Sequence, residues 1–230
     1  MTKLQELEIS TLSKEKAIRL LWLGRYTERA YFSLHVLRKY HDKMIDEDDT
    51  AYKTYCLKMG VDDKYKSATD FMVSYLYDKT NPDSLISMLS SANDNAIVLR
   101  EEITSETLSY IQLCISHLNA CASENLVISE LQYVTDHLLA FWGSIDVRIG
   151  NSTMRNVLKA GRLIESVDLH IRFDYSFERV NQLFLPLSEL VIKEKYIFND
   201  DILEKLTAQM SKINYREVKT LQLVNQLFNA

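Results

Sequence analysis

The chain has 230 residues, of which 47% are hydrophobic and 26% charged, and its formal net charge is −5. This length fits one large domain or two small ones, and the composition is typical of a globular protein. The negative charge and the lack of a long basic run disfavour proteins that bind nucleic acids or anionic membranes through phosphate contacts.

Turn-forming residues are scarce, with five glycines and two prolines. Because hairpin turns and βα loops need such residues, an all-α fold is favoured. No segment offers about 20 apolar residues for a membrane span, and the N-terminal residues have no continuous apolar run of the signal-peptide type. A cytoplasmic protein is therefore expected. Three cysteines are an odd and sparse set for a disulfide framework, so we expect reduced thiols.

The hydrophobic periodicity predicts a single bundle of about six to eight helices. The first should begin at Ser13, as its N-cap, and end near Ile45. An acidic run, Asp46–Asp49, then opens a charged stretch that holds one or two short helices. The next helix is expected to begin at Asn81, which would serve as an N-cap followed by a proline and an acidic residue.

The later helices follow with few interruptions. The helix that begins at Asn81 should run to about Glu102, and a helix from Ser105, as its N-cap, to Ala122 either continues it or follows a kink. Gly150 is expected in the C′ position of a helix. Further helices are predicted at Leu126–Ile149, Ser152–Phe173, Phe177–Tyr196 and Asp201–Leu227. No linker is evident, so residues 1–230 are predicted to form one domain with a weak internal duplication, its halves being about 13–122 and 126–230.

Two segments resemble each other, namely LLWLGRYTERA at Leu20–Ala30 and VLKAGRLIESV at Val157–Val167. Each has Gly-Arg followed three residues later by Glu, inside an apolar helical run. A glycine in a helix interior costs roughly 1 kcal/mol relative to alanine. We therefore interpret Gly24 and Gly161 as points where another backbone approaches closely, for instance where the two helices meet across a pseudo-twofold axis.

Charged residues accompany both glycines. The first helix is apolar nearly all round, which is typical of a central helix, and its charges need partners if they are buried. One interpretation is a structural ion-pair network that joins the two helices. The alternative is an arginine-lined pocket that grips a carboxylate or a phosphate. The residues concerned are Arg25, Glu28 and Arg29 in the first segment and Arg162, Glu165, Asp168 and Arg172 in the second.

The first segment resembles the hallmark of the alpha-E family, helical bacterial proteins with a conserved Glu-Arg motif, which Glu28 and Arg29 match. The second segment resembles the family's second copy at Glu165, Asp168 and Arg172. It departs from that copy because Ser166 replaces the motif arginine. In the first copy, His35 stands where a later arginine is usual.

Residues 81–108 also resemble the family, at Asn95, Arg100, Ser105 and Glu106. These residues could complete a pocket or could be surface and capping residues. The resemblance covers about Leu20–Phe173, and beyond it the chain looks shortened.

The resemblance implies a functional setting rather than a reaction. Members of the family are typically encoded beside, or fused to, circularly permuted ATP-grasp ligases, often with a transglutaminase-like peptidase and sometimes a proteasome-like peptidase. We therefore expect a non-catalytic partner in a system that makes or trims amide bonds in peptides. The alternatives are an enzyme or small-ligand binder that uses the Arg/Glu cluster, and a homodimer with a structural role.

The metal-site patterns are weak. Cys114, His117 and Cys121 share one stripe of a helix, but a tetrahedral zinc site needs a fourth ligand, so a buried stripe is the favoured interpretation. No histidine follows a carboxylate by three residues, which excludes a Glu-x-x-His di-iron site. The acidic run fails the EF-hand pattern because Ala51 and Leu57 stand where glycine and glutamate are required. With no Gly-rich phosphate loop in the sequence, neither a metal nor a cofactor is predicted.

Overall fold

A computed structural model describes residues 12–123 and 130–228 of the chain. Over these residues the protein is all-α, as predicted, with 11 helices rather than six to eight. The number is larger partly because short breaks divide two of the predicted helices. The described residues fall into two compact units, one that contains the residues up to Arg25 and those from Ile149 onward, and one at Tyr26–Arg148. The single domain with two repeat-like halves stays a prediction.

The first helix, α1, is Lys14–Asp46, and its residues up to Arg25 belong to the first unit. Ser13 caps it, because the Ser13 hydroxyl accepts a hydrogen bond from the backbone N–H of Lys16 at 3.3 Å. This confirms the predicted start, and the end lies one residue beyond the predicted Ile45.

The second unit contains six further helices. They are α2 (Ala51–Met59), α3 (Ala68–Tyr77), α4 (Leu85–Val98), α5 (Arg100–Ile103), α6 (Ser105–Ser123) and α7 (Leu131–Arg148). The longest two of them, α6 and α7, pack along each other, and α6 also packs on α4. The first residues of the predicted Leu126–Ile149 helix lie outside the described residues.

Aromatic side chains form a fully buried cluster in the second unit. The ring centroid of Tyr55 lies 5.3 Å from that of Tyr75 and 5.4 Å from that of Phe71. The Tyr55 hydroxyl donates to the Tyr75 hydroxyl at 3.0 Å, and the Ser33 hydroxyl lies 3.1 Å from the latter. The phenol groups therefore satisfy one another within the core.

The helix predicted to begin at Asn81 in fact begins after Ser84. The Ser84 hydroxyl accepts from the backbone N–H of Ser87 at 3.2 Å, as an N-cap does. Asn81 instead forms a turn, since its side-chain oxygen accepts from the backbone N–H of Asp83 at 3.1 Å. The predicted N-cap at Asn81 is thus wrong by three residues, because an Asx turn and an N-cap use the same side-chain acceptor.

The predicted continuation to Glu102 is also interrupted. The helix α4 ends at Val98, a single turn (α5) follows, and Thr104 has a positive φ of 72°. Thr104, not Ser105, caps α6, because its hydroxyl oxygen lies 3.4 Å from the backbone N–H of Thr107. The alternative in which a kink separates the two helices is therefore confirmed, and Ser105 is the first residue of α6.

Glycine supplies a left-handed helix end at a position that the sequence interpretation missed. Gly60, directly after α2, has φ 69° and is the only described glycine with a positive φ. Gly150 therefore does not have the left-handed C′ conformation that was expected. It lies between the end of α7 and Asn151, whose side chain caps the next helix.

The first unit contains the N-terminal part of α1 and four later helices. They are α8 (Ser152–Arg172), α9 (Phe177–Lys193), α10 (Asp200–Gln209) and α11 (Val218–Asn225). The helix α8 packs against α9 and α11, and most of its residues are buried. The predicted helix Asp201–Leu227 is therefore two helices, separated by a turn in which the Ser211 hydroxyl accepts from the backbone N–H of Asn214. No described helix is both long and apolar enough to cross a membrane.

Candidate functional site

The two glycines of the repeated segments lie where α1 crosses α8. A Cβ atom added to Gly24 would lie 2.2 Å from the backbone oxygen of Leu158, and one added to Gly161 would lie 2.2 Å from that of Leu21. Each glycine thus faces the carbonyl that lies three residues before the other glycine. This reciprocal contact confirms that both positions exclude a side chain because the helix backbones approach closely.

The arginine after the first glycine pairs with the glutamate of the second segment. The Arg25 Nε donates to Glu165 Oε2 at 2.8 Å, and Arg25 Nη2 donates to the side-chain oxygen of Asn225 at 2.7 Å. The guanidinium carbon also lies 4.9 Å from the centroid of the Trp22 ring, in a cation–π arrangement. Glu165 is buried, with 2% of its side chain exposed, and Arg25 is partly buried, with 14% exposed.

A second ion pair joins this one through Asn225. The Asn225 amide nitrogen donates to Asp168 Oδ1 at 2.8 Å, and Arg172 Nε donates to Asp168 Oδ2 at 2.6 Å. Asp168 and Arg172 lie one turn apart on α8, whereas Asn225 is the last residue of α11. The network therefore contains two cations, two carboxylates and one amide that bridges them.

Asn225 was absent from the predicted site. It lies 57 residues beyond Asp168, outside the repeated segments, and nothing in its local sequence marks it as part of the network. Its role depends on the packing of α11 against α8, which is a tertiary property.

The Glu-Arg pair of the first segment lies in the second unit. Glu28 is buried, with 4% of the residue exposed, and it has an interaction partner. Arg29 Nη2 donates to the carbonyl oxygen of Met59, the last residue of α2, at 2.6 Å. A cation at the carbonyl end of a helix satisfies an otherwise unpaired acceptor and complements the helix dipole.

A cavity of about 150 Å³ lies beside Arg25 in the first unit. Leu21 and Ile164, which are both buried, contribute to its walls, whereas Trp22 and Asn225 are exposed. The lining residues are Ile18, Leu21, Trp22, Arg25, Ile164, Asn225 and Phe228. The cavity is thus apolar over most of its wall and polar at Arg25 and Asn225.

Comparison with known families agrees with these motifs. A family model named Alpha-E, described as a predicted alpha-helical domain with a conserved ER motif, matches residues 14–216. The chain belongs to the Alpha-E family. The match extends past Phe173, the limit expected from the motifs. No curated protein and no solved structure matches the chain.

The two departures from the Alpha-E pattern have different surroundings. Ser166, which replaces the motif arginine, is buried on α8, and its backbone carbonyl accepts a hydrogen bond from His170 Nδ1 at 2.7 Å. His35 lies on the exposed surface, where partial desolvation of its ring and the nearby charges of Lys39 and Arg38 lower its pKa. Ser166 is therefore accommodated as a core residue.

The middle Alpha-E segment makes local contacts. Asn95 donates to the carbonyl of Ser91 on its own helix at 2.9 Å, and Arg100 and Glu106 are exposed. The pKa of Glu106 lies below its ordinary value, because its carboxylate is hydrogen-bonded by the Glu106 backbone N–H and by the Thr104 hydroxyl. These contacts are the kind made by surface and capping residues. Arg162, the remaining member of the predicted set, is half-buried and has an interaction partner.

The two cysteines of the stripe on α6 are buried, as the favoured interpretation predicted, whereas His117 is half-buried. Cys114 and Cys121 are fully buried, and the Cys114 thiol donates to the carbonyl of Val134 at 3.6 Å. Burial raises the pKa of Cys114 to about 12. No group of three or more potential metal ligands is found among residues 12–123 and 130–228.

Proposed function

We propose that this Alpha-E protein is a non-catalytic partner of an ATP-grasp-linked system that makes or trims amide bonds in peptides. The observation that carries the proposal is the mutual pairing of the charged side chains in the first unit. Arg25 is engaged by Glu165 and Asn225, and Asp168 by Arg172 and Asn225. Side chains that bind one another in this way hold helices together, whereas a general acid or base has to reach a proton on a substrate.

A surface groove in the same unit also supports a partner role. It has a volume of about 590 Å³ and is lined by Ile192, Lys195, Asp200, Leu203, Glu204, Thr207 and Ala208. Ile192 on α9 is 62% exposed. Exposed apolar surface with charged residues around it is typical of sites that bind other proteins. We assign this groove to the docking of the ligase.

The association can be measured directly with the cognate ATP-grasp ligase, by co-purification and by isothermal titration calorimetry. We expect a stable complex, and we expect Ile192→Lys to weaken it by at least about tenfold, because a central apolar contact of an interface carries a large share of its energy.

A matched control is Ile213→Lys, which introduces the same change at a side chain that is 89% exposed and does not line the groove. This variant should bind like the wild type. Absence of any complex with the wild-type chain would contradict the proposed function. Equal binding by the wild type and the two variants would remove the groove from the proposal.

A further inference from the structure

The cavity beside Arg25 is built from three helices of the first unit and the residues after α11. Its apolar wall includes Ile18 on α1, Ile164 on α8 and Phe228, which follows α11. At about 150 Å³, it is as large as cavities that take up a benzene ring in other proteins. Its size and lining therefore suit an apolar group of about six heavy atoms.

The polar side of the cavity has hydrogen-bond donors to offer. A guanidinium group carries five N–H donors. The Arg25 Nε is used by Glu165 and Nη2 by Asn225, whereas Nη1 makes no hydrogen bond to any residue that the structure describes. Within the described part of the chain, the two N–H donors on Nη1 are therefore left for a ligand with an acceptor oxygen.

Two ion pairs lie at this site. Arg25 is paired with Glu165 at 2.8 Å, and Arg172 with Asp168 at 2.6 Å. Because Asn225 links the two pairs, a ligand that contacts Arg25 lies close to two carboxylates as well as to two cations. An anion would add negative charge beside the carboxylates of Glu165 and Asp168, whereas a neutral acceptor would not.

We propose that this cavity binds a small neutral molecule that has an apolar body and a carbonyl oxygen, such as a carboxamide. The apolar body lies against Ile18, Ile164 and Phe228, and the carbonyl oxygen accepts hydrogen bonds from Arg25. The proposal differs from the sequence-based hypothesis of a carboxylate or phosphate site, since the acids that pair with the arginines remain in place. It is independent of ligase docking, so either proposal can fail alone.

Two probes of nearly equal shape separate the two kinds of ligand. Benzamide and benzoate share a phenyl ring and a carbonyl oxygen, and benzoate alone carries a charge. Titration calorimetry and saturation-transfer NMR on the full chain should give a dissociation constant of roughly 1 mM for benzamide, which is ordinary for a ligand of about nine heavy atoms. Binding of benzoate should be at least about tenfold weaker.

Three variants test whether benzamide binds in this cavity. Ile18→Phe fills the cavity from a half-buried position and should abolish benzamide binding with little change in melting temperature. Ile213→Phe makes the same change at a side chain that is 89% exposed, and it should bind benzamide like the wild type. Arg25→Lys keeps the positive charge beside Glu165 but lacks the Nη1 donors. It should weaken benzamide at least about fivefold while leaving the binding of toluene, which has no acceptor, nearly unchanged.

The outcomes are distinct. Preference for benzamide together with its loss in Ile18→Phe supports the proposal. Benzoate binding as tight as or tighter than that of benzamide overturns it in favour of an anion site. Failure of both probes to bind overturns it, and so does benzamide binding that persists in Ile18→Phe.

Discussion

The two units accommodate their buried polar atoms in different ways. In the first unit, two helix backbones meet at Gly24 and Gly161, and the nearby long charged side chains pair with one another. In the second, bulky rings fill the core and the hydroxyls of Tyr55 and Tyr75 bond each other and lie beside Ser33. The stability of the first unit should therefore respond most to added side-chain volume and to the loss of a charged group. The stability of the second should respond most to ionisation of its buried side chains and to the loss of a tyrosine hydroxyl.

The largest effect should come from adding one methyl group at the helix crossing. Gly24→Ala would place its Cβ 2.2 Å from the carbonyl oxygen of Leu158, which is backbone and has no rotamer to change. We expect the free energy of unfolding to fall by about 3–4 kcal/mol, as measured by urea denaturation, because the helices must move apart.

Gly143 provides the control for this prediction. It lies inside α7, and an added Cβ would meet nothing within 4 Å. Gly143→Ala should therefore stabilise the protein by about 0.5–1 kcal/mol, from helix propensity alone. If the two alanine variants behaved alike, the close helix approach would be refuted.

Loss of the buried charge at Glu165 should rank second. Glu165→Gln keeps the shape of the side chain but leaves the guanidinium of Arg25, which is 14% exposed, without its carboxylate. We expect a loss of about 2–3 kcal/mol in denaturant unfolding. Glu15→Gln removes the carboxylate of the exposed Arg19–Glu15 pair and should cost at most about 0.5 kcal/mol. A similar cost for both variants would mean that burial adds nothing to the Arg25 pair.

Alkaline pH should destabilise the second unit through its buried thiols. Burial raises the pKa of Cys56 from 9.0 to about 12. Below pH 9 both the folded and the unfolded chain keep the proton. Between pH 9 and 12 the unfolded chain releases it while the folded chain does not, so stability falls as the pH rises.

The measurement is unfolding free energy against pH for the wild type and Cys56→Ala. The loss from pH 8 to pH 10.5 should be about 2 kcal/mol smaller in the variant. Cys114→Ala should show the same flattening, since the pKa of Cys114 is also raised to about 12. Parallel profiles for all three proteins would show that these thiols ionise equally well in the folded state.

The smallest effect should be the loss of one hydroxyl from the aromatic cluster. Tyr75→Phe keeps the ring but removes the partner of Tyr55 and Ser33, so we expect a loss of about 1.5 kcal/mol in thermal or urea unfolding. Tyr133→Phe, at a side chain that is 54% exposed, should change stability by less than about 0.5 kcal/mol. An equally small effect at Tyr75 would show that the buried hydroxyls contribute nothing net.

Some of this architecture was predictable because its signals are local. A glycine that interrupts an apolar helical run has few physical explanations, and close backbone approach proved to be the correct one at Gly24 and Gly161. The ion-pair interpretation likewise found Arg25 and Glu165, because buried charges need opposite charges. These inferences needed only helical periodicity and the cost of burying a charge.

Other features depend on choices that the local sequence leaves balanced. Asn81 and Ser84 are both good capping residues, and the structure uses one for a turn and the other for the helix start. Thr104 adopts a positive φ that a β-branched residue ordinarily avoids, so no propensity argument predicts the break there. Asn225 enters the network through the packing of a distant helix.

The close contact of α1 and α8 at Gly24 and Gly161 also fixes the register between these two helices. A helix advances 1.5 Å and turns 100° per residue. Inserting a single residue between Gly161 and Glu165 would therefore rotate the glutamate by that angle away from Arg25 while the glycine held its place. The four-residue spacing between Gly161 and Glu165 therefore lets the backbone contact and the ion pair form together. Single-residue insertions or deletions within it are expected to lower the stability of the first unit far more than substitutions do.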